Sequence, residues 1–225
     1  MSADRRVAAA SIRARREERW AGKVPAESRW YIAEPPSELL SLVESGRARA
    51  GGVALDLGCG PGTVTAYLRD HFRLAVGLDL AHAAVAQARQ LTAGDPTPAR
   101  YVVAESPALP FAGGSFSLIF ERGVLHHVPR AAWPRYFAEI ARILEPGGLY
   151  QQYCPQRALP PLASVRGVRT RLGQMRHGRP SPADGMRAAL PAALRPLELR
   201  EFPFTITSGE RVRFTYGLFE KGTGG

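Results

Sequence analysis

Short apolar runs alternate with amphipathic stretches along most of the chain. The runs VALDL, LAVGLD, RYVV, SLIF and LYQQYC have the length and composition of strands buried in a parallel sheet. Stretches between them, such as TVTAYLRDHF and AAWPRYFAEIARIL, repeat apolar residues at helical spacing. This alternation predicts an α/β fold, with a mostly parallel sheet and helices on both of its faces.

The C-terminal part of the chain breaks the alternation. PLELREFPFTIT and ERVRFTYGLF are strand-like runs joined at Ser208-Gly209, and they predict an antiparallel hairpin. With the five earlier runs, the hairpin completes a Rossmann-like, doubly wound sheet of seven strands. We expect residues 1–49 to form a helical cap and residues 50–225 to form the main domain.

Composition places the chain among globular proteins. Of its 225 residues, 45% are hydrophobic and 22% are charged, which argues against wholesale disorder. No apolar run approaches the roughly 18 residues that a membrane span needs, and the N-terminal 20 residues lack the apolar core of a secretory signal. Two cysteines do not make a disulfide framework. We therefore expect a cytoplasmic protein that has no membrane partner.

The net charge of +10 makes nucleic acid a conceivable partner. However, seven arginines and only one acid fall between Arg157 and Arg187, so the positive charge is concentrated in one segment. We expect a basic insert at about residues 155–180 that forms a mobile lid over a ligand site. A solvated basic loop is the alternative.

The run DLGCGPG (56–62) begins in the last two residues of the first predicted strand and continues beyond it. A dinucleotide fingerprint has its third glycine at the sixth position, but here that glycine comes one residue early. The run resembles instead the first motif of class I S-adenosylmethionine-dependent methyltransferases. The resemblance implies that the loop passes under the amino-acid end of the cofactor, with these residues in contact: Asp56, Gly58, Cys59, Gly60 and Gly62. A tight turn without any ligand is the alternative.

Further motifs extend the resemblance over residues 50–154. Asp79 ends the second predicted strand, where its two oxygens can accept hydrogen bonds from ribose hydroxyls, and Leu80 offers an apolar face to adenine. An N-cap of the next helix is the alternative for Asp79. Glu105 and Ser106 stand where the family usually has Asp-Ala beside the adenine amino group. The resemblance implies S-adenosyl-L-methionine as the cofactor.

The segment FERGVLHHVP (120–129) should border the transferred methyl group. We expect Glu121 and Arg122 either to meet the methionine end of the cofactor or to pair with each other at the surface. His126 is the candidate base, with a packed structural histidine as the alternative, and Tyr153 is a further candidate in the pocket. His126 and the adjacent His127 should diverge, and we expect no metal site.

The N-terminal segment and Glu-Arg-Gly (121–123) loosely resemble thiopurine S-methyltransferase-like and tellurite-resistance-type enzymes. This implies a small, aromatic or soft acceptor beneath a cap with Trp20, Trp30 and Tyr31, and the basic insert favours an anionic one. The leading hypothesis is methyl transfer to a nucleophilic heteroatom of a small molecule. The alternatives are an RNA methyltransferase and a cofactor-binding regulatory subunit without catalysis.

Overall fold

A single mixed sheet of seven strands organises the part of the chain that the computed structural model describes: residues 14, 17–22, 31–95, 99–105, 108–155, 181–205 and 211–223. The strands are β1 (Val53–Leu57), β2 (Leu74–Asp79), β3 (Ala99–Val103), β4 (Phe116–Arg122), β5 (Leu144–Pro155), β6 (Leu194–Thr205) and β7 (Arg211–Lys221). Their order in the sheet is β3-β2-β1-β4-β5-β7-β6.

Strands β1 to β5 are parallel, whereas β7 runs antiparallel to both β5 and β6. The predicted seven-stranded, Rossmann-like sheet with an antiparallel C-terminal hairpin is therefore confirmed. The predicted turn at Ser208-Gly209 lies outside the described residues.

The helices are α1 (Ser37–Glu44), α2 (Thr63–His71), α3 (His82–Leu91), α4 (Trp133–Ile143) and α5 (Pro182–Ala189), with short 3₁₀ turns at Leu125–His127 and Arg130–Ala132. Residues 17–20 are also helical. Helix α4 buries side chains at spacings of three and four residues, including Tyr136, Phe137 and Ile140. Among the described residues, no helix has the length and apolar character needed to cross a bilayer.

Both faces of the sheet are buried, as the apolar strand sequences predict. Leu55 and Leu57 of β1 pack with α4 on one face, and Ala54, which directly precedes Leu55, packs with α1 and α2 on the other. Helix α1 contributes Leu39 and Leu42 to this second core. Although α1 falls within the predicted cap of residues 1–49, it thus shares a core with the sheet, and the boundary at residue 49 stays a prediction.

The strand order reverses at β1, which lies between β2 and β4. The connections from β1 and β4 leave for opposite sides at this point, and a crevice opens outside the carboxyl ends of these strands. The glycine run at 58–62 begins directly after β1. The fold therefore places the candidate motif where doubly wound sheets bind their ligands.

Candidate active site

A cavity of about 390 Å³ lies at the carboxyl edge of β1, β2 and β4. Most of the predicted site residues line it: Asp56, Gly58, Cys59, Gly60, Asp79, Leu80, Glu105, Arg122 and His126. Gly62, Glu121 and Tyr153 are absent from the lining. Ser106, Trp30 and nearly all of the basic insert at about 155–180 lie outside the described residues, so the predictions for them remain predictions.

Asp79 connects the glycine loop (residues 58–62) with the start of α3 at the edge of the cavity. Its Oδ2 accepts a hydrogen bond from the backbone N–H of Gly60 at 2.9 Å, and its Oδ1 accepts one from Ala81 at 2.9 Å. A carboxylate has about four acceptor positions, so these contacts are compatible with further bonds to ribose hydroxyls. Asp79 does not cap α3 itself, because the N-cap position is Ala81.

The glycine loop takes a backbone course that side chains resist. Gly60 has φ of 52°, and a Cβ there would lie 3.2 Å from Cζ2 of Trp20, which also lines the cavity. Gly62 has φ of 89° and forms the N-cap of α2. A Cβ on Gly62 would lie 2.8 Å from Cβ of Ala88, so this glycine serves the packing of α2 against α3. Its predicted contact with the cofactor stays a prediction.

Asp56 is buried beside the loop, with only 3% of its surface exposed. Its Oδ2 accepts a hydrogen bond from Oγ1 of Thr65 at 2.7 Å. Burial raises the pKa of this carboxyl to about 7, and the nearby charge of Asp79 acts in the same direction. Two carboxyl groups thus face the same end of the cavity and suit a positively charged ligand.

Cys59, in the middle of the loop, is also buried, and its Sγ donates to the carbonyl oxygen of Gly60 at 3.6 Å. Burial raises the pKa of the thiol, and the carboxylates of Asp56 and Asp79 raise it further. The residue therefore packs as a small apolar group beside the ligand space.

Glu121 corrects one of our expectations. Its side chain is fully buried and turned away from the cavity, and it neither meets the methionine end of a cofactor nor pairs with Arg122 at the surface. Successive side chains of a strand point to opposite faces, so Phe120 and Arg122 reach the cavity while Glu121 enters the core beneath α4. There it accepts hydrogen bonds from the hydroxyls of Tyr136 and Tyr150.

Tyr153 also lies outside the cavity, in contrast to its predicted place in the pocket. It is 4% exposed, and its hydroxyl donates to Oε2 of Glu38 on α1 at 3.1 Å. Burial raises the pKa of this hydroxyl, and the charge of Glu38 raises it further. Tyr153 packs in an aromatic cluster with Phe120 and Tyr216, so its role is in the core.

His126 and His127 both line the cavity. They do not diverge as adjacent residues on a strand would, because the tight 3₁₀ turn brings their ring centroids to 3.5 Å. Among the described residues, no group of three His, Cys, Asp or Glu side chains could hold a metal ion. The turn therefore presents imidazole groups to the cavity without a metal cluster in that part of the chain.

Arg122, the last residue of β4, gives the cavity a positive charge. Its guanidinium carbon lies 5.8 Å from the ring centroid of Phe214 on β7, and burial lowers its pKa. Both residues line the cavity, together with Phe120 and Tyr31. This wall combines one cation with aromatic rings.

The N-terminal residues 17–22 reach the same cavity, and sequence reasoning missed how they are held there. Glu17 accepts hydrogen bonds from the backbone N–H groups of His82 and Ala83 at 2.8 and 2.9 Å, so it caps α3 from outside the helix. The backbone oxygen of Trp20 accepts from Nε2 of Gln87 at 2.8 Å. These contacts place Trp20 against the glycine loop.

Residues 54–148 match the family model described as a methyltransferase domain. The match supports a methyltransferase domain in this part of the chain, which is less than half of the 225 residues. The match begins inside β1 and ends inside β5, so it includes β2 and β4 and most of β1, at whose carboxyl edge the cavity lies. The narrower resemblance to thiopurine and tellurite-resistance enzymes stays a prediction.

Among curated proteins, the chain is 32% identical over 122 residues to the 2-heptyl-1-hydroxyquinolin-4(1H)-one methyltransferase of Mycobacteroides abscessus, which covers 54% of this chain and 53% of that protein. The chain thus spans about half the length of this relative.

Solved structures share the fold. One, from work on the conversion of a disulfide bond into a thioacetal group during echinomycin biosynthesis, matches with a TM-score of 0.70 at 21% identity, covering 95% of this chain and 94% of the other. Another, an S-adenosylmethionine-dependent methyltransferase from Methanosarcina mazei, has a TM-score of 0.60 at 14% identity, covering 85% of this chain and 100% of the other.

Proposed function

We propose that this protein transfers the methyl group of S-adenosylmethionine to a nucleophilic heteroatom of a small molecule. The observation that carries the proposal is the Asp79 carboxylate, which lines the cavity and is hydrogen-bonded to the glycine loop, within the part of the chain that matches a methyltransferase domain. The two carboxyl groups of Asp56 and Asp79 match a ligand that carries a sulfonium and an ammonium group.

The donor half of the cavity, lined by Asp56, the glycine loop, Asp79, Leu80 and Glu105, supports the binding of this cofactor. We assign Asp79 to the ribose hydroxyls, Leu80 and Glu105 to the adenine, and Asp56 with the glycine loop to the methionine end. When bound, S-adenosylmethionine supplies an electrophilic methyl group on a sulfonium that is already a good leaving group. The protein then mainly has to hold the acceptor atom in line with that methyl group.

The acceptor half supports a planar or anionic small molecule. Arg122 offers a positive charge, and Phe120, Phe214 and Tyr31 offer aromatic surface around it. The relative from Mycobacteroides abscessus is named for a hydroxyquinolinone, an acceptor of this aromatic kind. Where the acceptor arrives protonated, we assign His126 as the group that receives its proton, because this imidazole lies on the cavity wall.

Incubation of the purified chain with isotopically labelled S-adenosylmethionine and a panel of acceptors tests the proposal. The panel contains 2-heptyl-1-hydroxyquinolin-4(1H)-one, simple phenols, aromatic thiols, small carboxylates and total RNA. We expect mass spectrometry to find a methylated small molecule and unmethylated RNA. Label transferred only to RNA would overturn the proposal in favour of an RNA methyltransferase, and cofactor binding without any transfer would favour a regulatory subunit.

Asp79→Ala provides the matched control in this experiment. Losing charge-assisted hydrogen bonds of this kind costs roughly 1.5–3 kcal/mol, or about a tenfold to hundredfold loss of cofactor affinity. Isothermal titration with S-adenosylhomocysteine measures that loss. Unchanged affinity in a folded Asp79→Ala protein would contradict the assignment of Asp79 to the ribose.

A further inference from the structure

The turn at residues 123–128 forms the wall of the cavity next to the acceptor space, and the buried carboxylate of Glu121 holds its backbone. Oε1 of Glu121 accepts from the backbone N–H groups of Val124 at 3.3 Å and Leu125 at 2.6 Å. A separate bond from the N–H of Gly123 to the carbonyl oxygen of Tyr153 measures 2.9 Å. These bonds fix the start of the 3₁₀ turn that carries His126.

The other oxygen of Glu121 is fixed by the core. Oε2 accepts a hydrogen bond from the hydroxyl of Tyr136 on α4 at 2.5 Å and another from Tyr150 on β5. Both tyrosines are at most 1% exposed, so their rings cannot turn without disturbing the core. These four donors, from the turn and from the core, hold the carboxylate in one orientation. The carboxylate in turn fixes the position of the backbone N–H groups of the turn.

Val124 connects the same turn to the donor side of the cavity. A Cβ added to Gly58 would lie 2.3 Å from Cγ2 of Val124, so the valine side chain occupies the space that the glycine leaves open. The turn therefore rests directly on the glycine loop. Because Glu121 binds the backbone N–H of Val124, it sets how the two loops meet.

We propose that Glu121 is a positioning residue for methyl transfer. It fixes the turn at residues 123–128, which carries His126, at a set distance from the glycine loop that holds S-adenosylmethionine. The proposal rests on the proposed function, since it assigns Glu121 a part in the same reaction. Glu121 acts through hydrogen-bond geometry and not through its charge, because all four of its hydrogen bonds run to the protein's own backbone and tyrosines.

Two substitutions separate geometry from charge. Glu121→Gln keeps a carbonyl oxygen for the N–H groups of the turn, and its amide can donate to the tyrosine hydroxyls, which also accept. Glu121→Leu keeps a similar volume but offers no acceptor. Tyr136→Phe is the matched control, because it removes one hydrogen bond on the core side and leaves both bonds to the turn in place.

The first readout needs no acceptor molecule. Amide hydrogen exchange of Val124 and Leu125 is followed by NMR on the protein saturated with S-adenosylhomocysteine. We expect exchange in Glu121→Leu to be faster by at least about tenfold, since its turn opens locally, and exchange in Glu121→Gln and Tyr136→Phe to stay within about threefold of the parent. Unchanged exchange in a folded Glu121→Leu protein would overturn the proposal.

The second readout uses whichever acceptor the panel identifies. Misplacement by about 1 Å can cost about a hundredfold in rate, so we expect kcat of Glu121→Leu to fall at least about tenfold while its affinity for S-adenosylhomocysteine changes less than about threefold. Glu121→Gln should rescue kcat. Tyr136→Phe should lower the melting temperature but lower kcat by less than about threefold, because the bond from Tyr150 and both bonds to the turn remain. A merely structural role would make stability and kcat fall together.

The two readouts distinguish a failure of the positioning role of Glu121 from a failure of the proposed function. If no acceptor in the panel is methylated, the function fails while the amide exchange still decides whether Glu121 fixes the turn. If Glu121→Gln is as inactive as Glu121→Leu but keeps its amides protected, the charge of Glu121 matters and positioning is overturned. Should Glu121→Leu fail to fold, the exchange and kcat of Glu121→Gln remain decisive.

Discussion

At the residue scale, the most unusual ionisable group in the donor half is Asp56. Burial raises its pKa from 3.8 to about 7, so the folded protein holds a proton there that the unfolded chain releases near pH 4. Thr65 from α2 donates to it, and Asp79 from β2 and the buried Cys59 face the same space. The carboxyl therefore titrates within the range in which enzymes are normally assayed.

This shift predicts how stability depends on pH. Between pH 4 and 7 the native state binds more protons at Asp56 than the unfolded state does. The free energy of unfolding should therefore decrease as the pH rises through that window and level off above pH 7, by at most about 1.4 kcal/mol for each pKa unit of the shift. Urea denaturation at several pH values measures the slope. Asp56→Asn should remove this contribution, and an unaltered slope in that variant would contradict the assignment.

Sequence reasoning found Asp56 and Asp79 because each stands at the end of an apolar run, where a parallel sheet exposes its ligand-binding edge. It failed for Glu121 and Tyr153, which look equally well placed along the chain. Whether such a side chain enters the cavity depends on the face of the strand, and a buried carboxylate needs donors such as Tyr136 that come from distant elements. One strand's pattern contains neither piece of information.

At the element scale, the glycine loop and residues 17–22 form one contact surface. The prediction that glycine is needed for an unusual φ is confirmed at Gly60, but the neighbour that its missing Cβ accommodates is Trp20. The sequence could not show this pairing, because it depends on Glu17 capping a helix that begins 65 residues later. Long-range contacts of this kind leave no periodic signal.

The loop prediction has a matched control within the chain. Gly60→Val should abolish S-adenosylhomocysteine binding, because the valine would be strained at φ of 52° and would press on Trp20. Gly94 has φ of 82° but no atom within 4 Å of an added Cβ, so Gly94→Val carries the strain alone. We expect Gly94→Val to bind the cofactor normally in isothermal titration. Equal binding by both variants would mean that the loop is only a turn.

The capping residue gives a second prediction at this scale. Glu17→Ala leaves two backbone N–H groups at the start of α3 without their carboxylate, and the loss of a helix cap typically costs about 1 kcal/mol. We expect a lower melting temperature and, as Trp20 is released from Gly60, a roughly fivefold weaker cofactor affinity. Glu18→Ala, at the exposed neighbouring position, should change neither quantity. Identical behaviour of the two variants would argue against the capping role.

At the scale of the whole molecule, the architecture was predictable and the cavity only in part. Apolar runs separated by stretches of helical periodicity predict the parallel sheet with its helices. The two strand-like runs near the C-terminus predict the antiparallel hairpin. The sequence predicted Tyr31 in the cap and Arg122 beside the cofactor, but it did not show that Phe214, from the last part of the chain, joins them in one wall. These residues meet only because β7 inserts between β5 and β6.

The charge of the whole molecule leads to a last prediction, which separates the two substrate classes. A protein with net charge +10 should bind RNA through its phosphates, and affinity of that kind falls steeply between 50 and 200 mM salt, by about 10³-fold or more where six or more phosphates are contacted. Methyl transfer to a small acceptor should persist at the higher salt, because Arg122 is largely enclosed by the cavity and is screened less than surface charges.

Arg122→Met tests this directly, with Arg213→Met as the control that removes one exposed positive charge from β7. We expect Arg122→Met to raise KM for an anionic acceptor at least about tenfold, as the loss of a charged hydrogen bond of about 1.5–3 kcal/mol requires, and to leave RNA affinity close to that of Arg213→Met. RNA methylation that continues at 200 mM salt, and that Arg122→Met abolishes, would mean that the same cavity serves a nucleic acid.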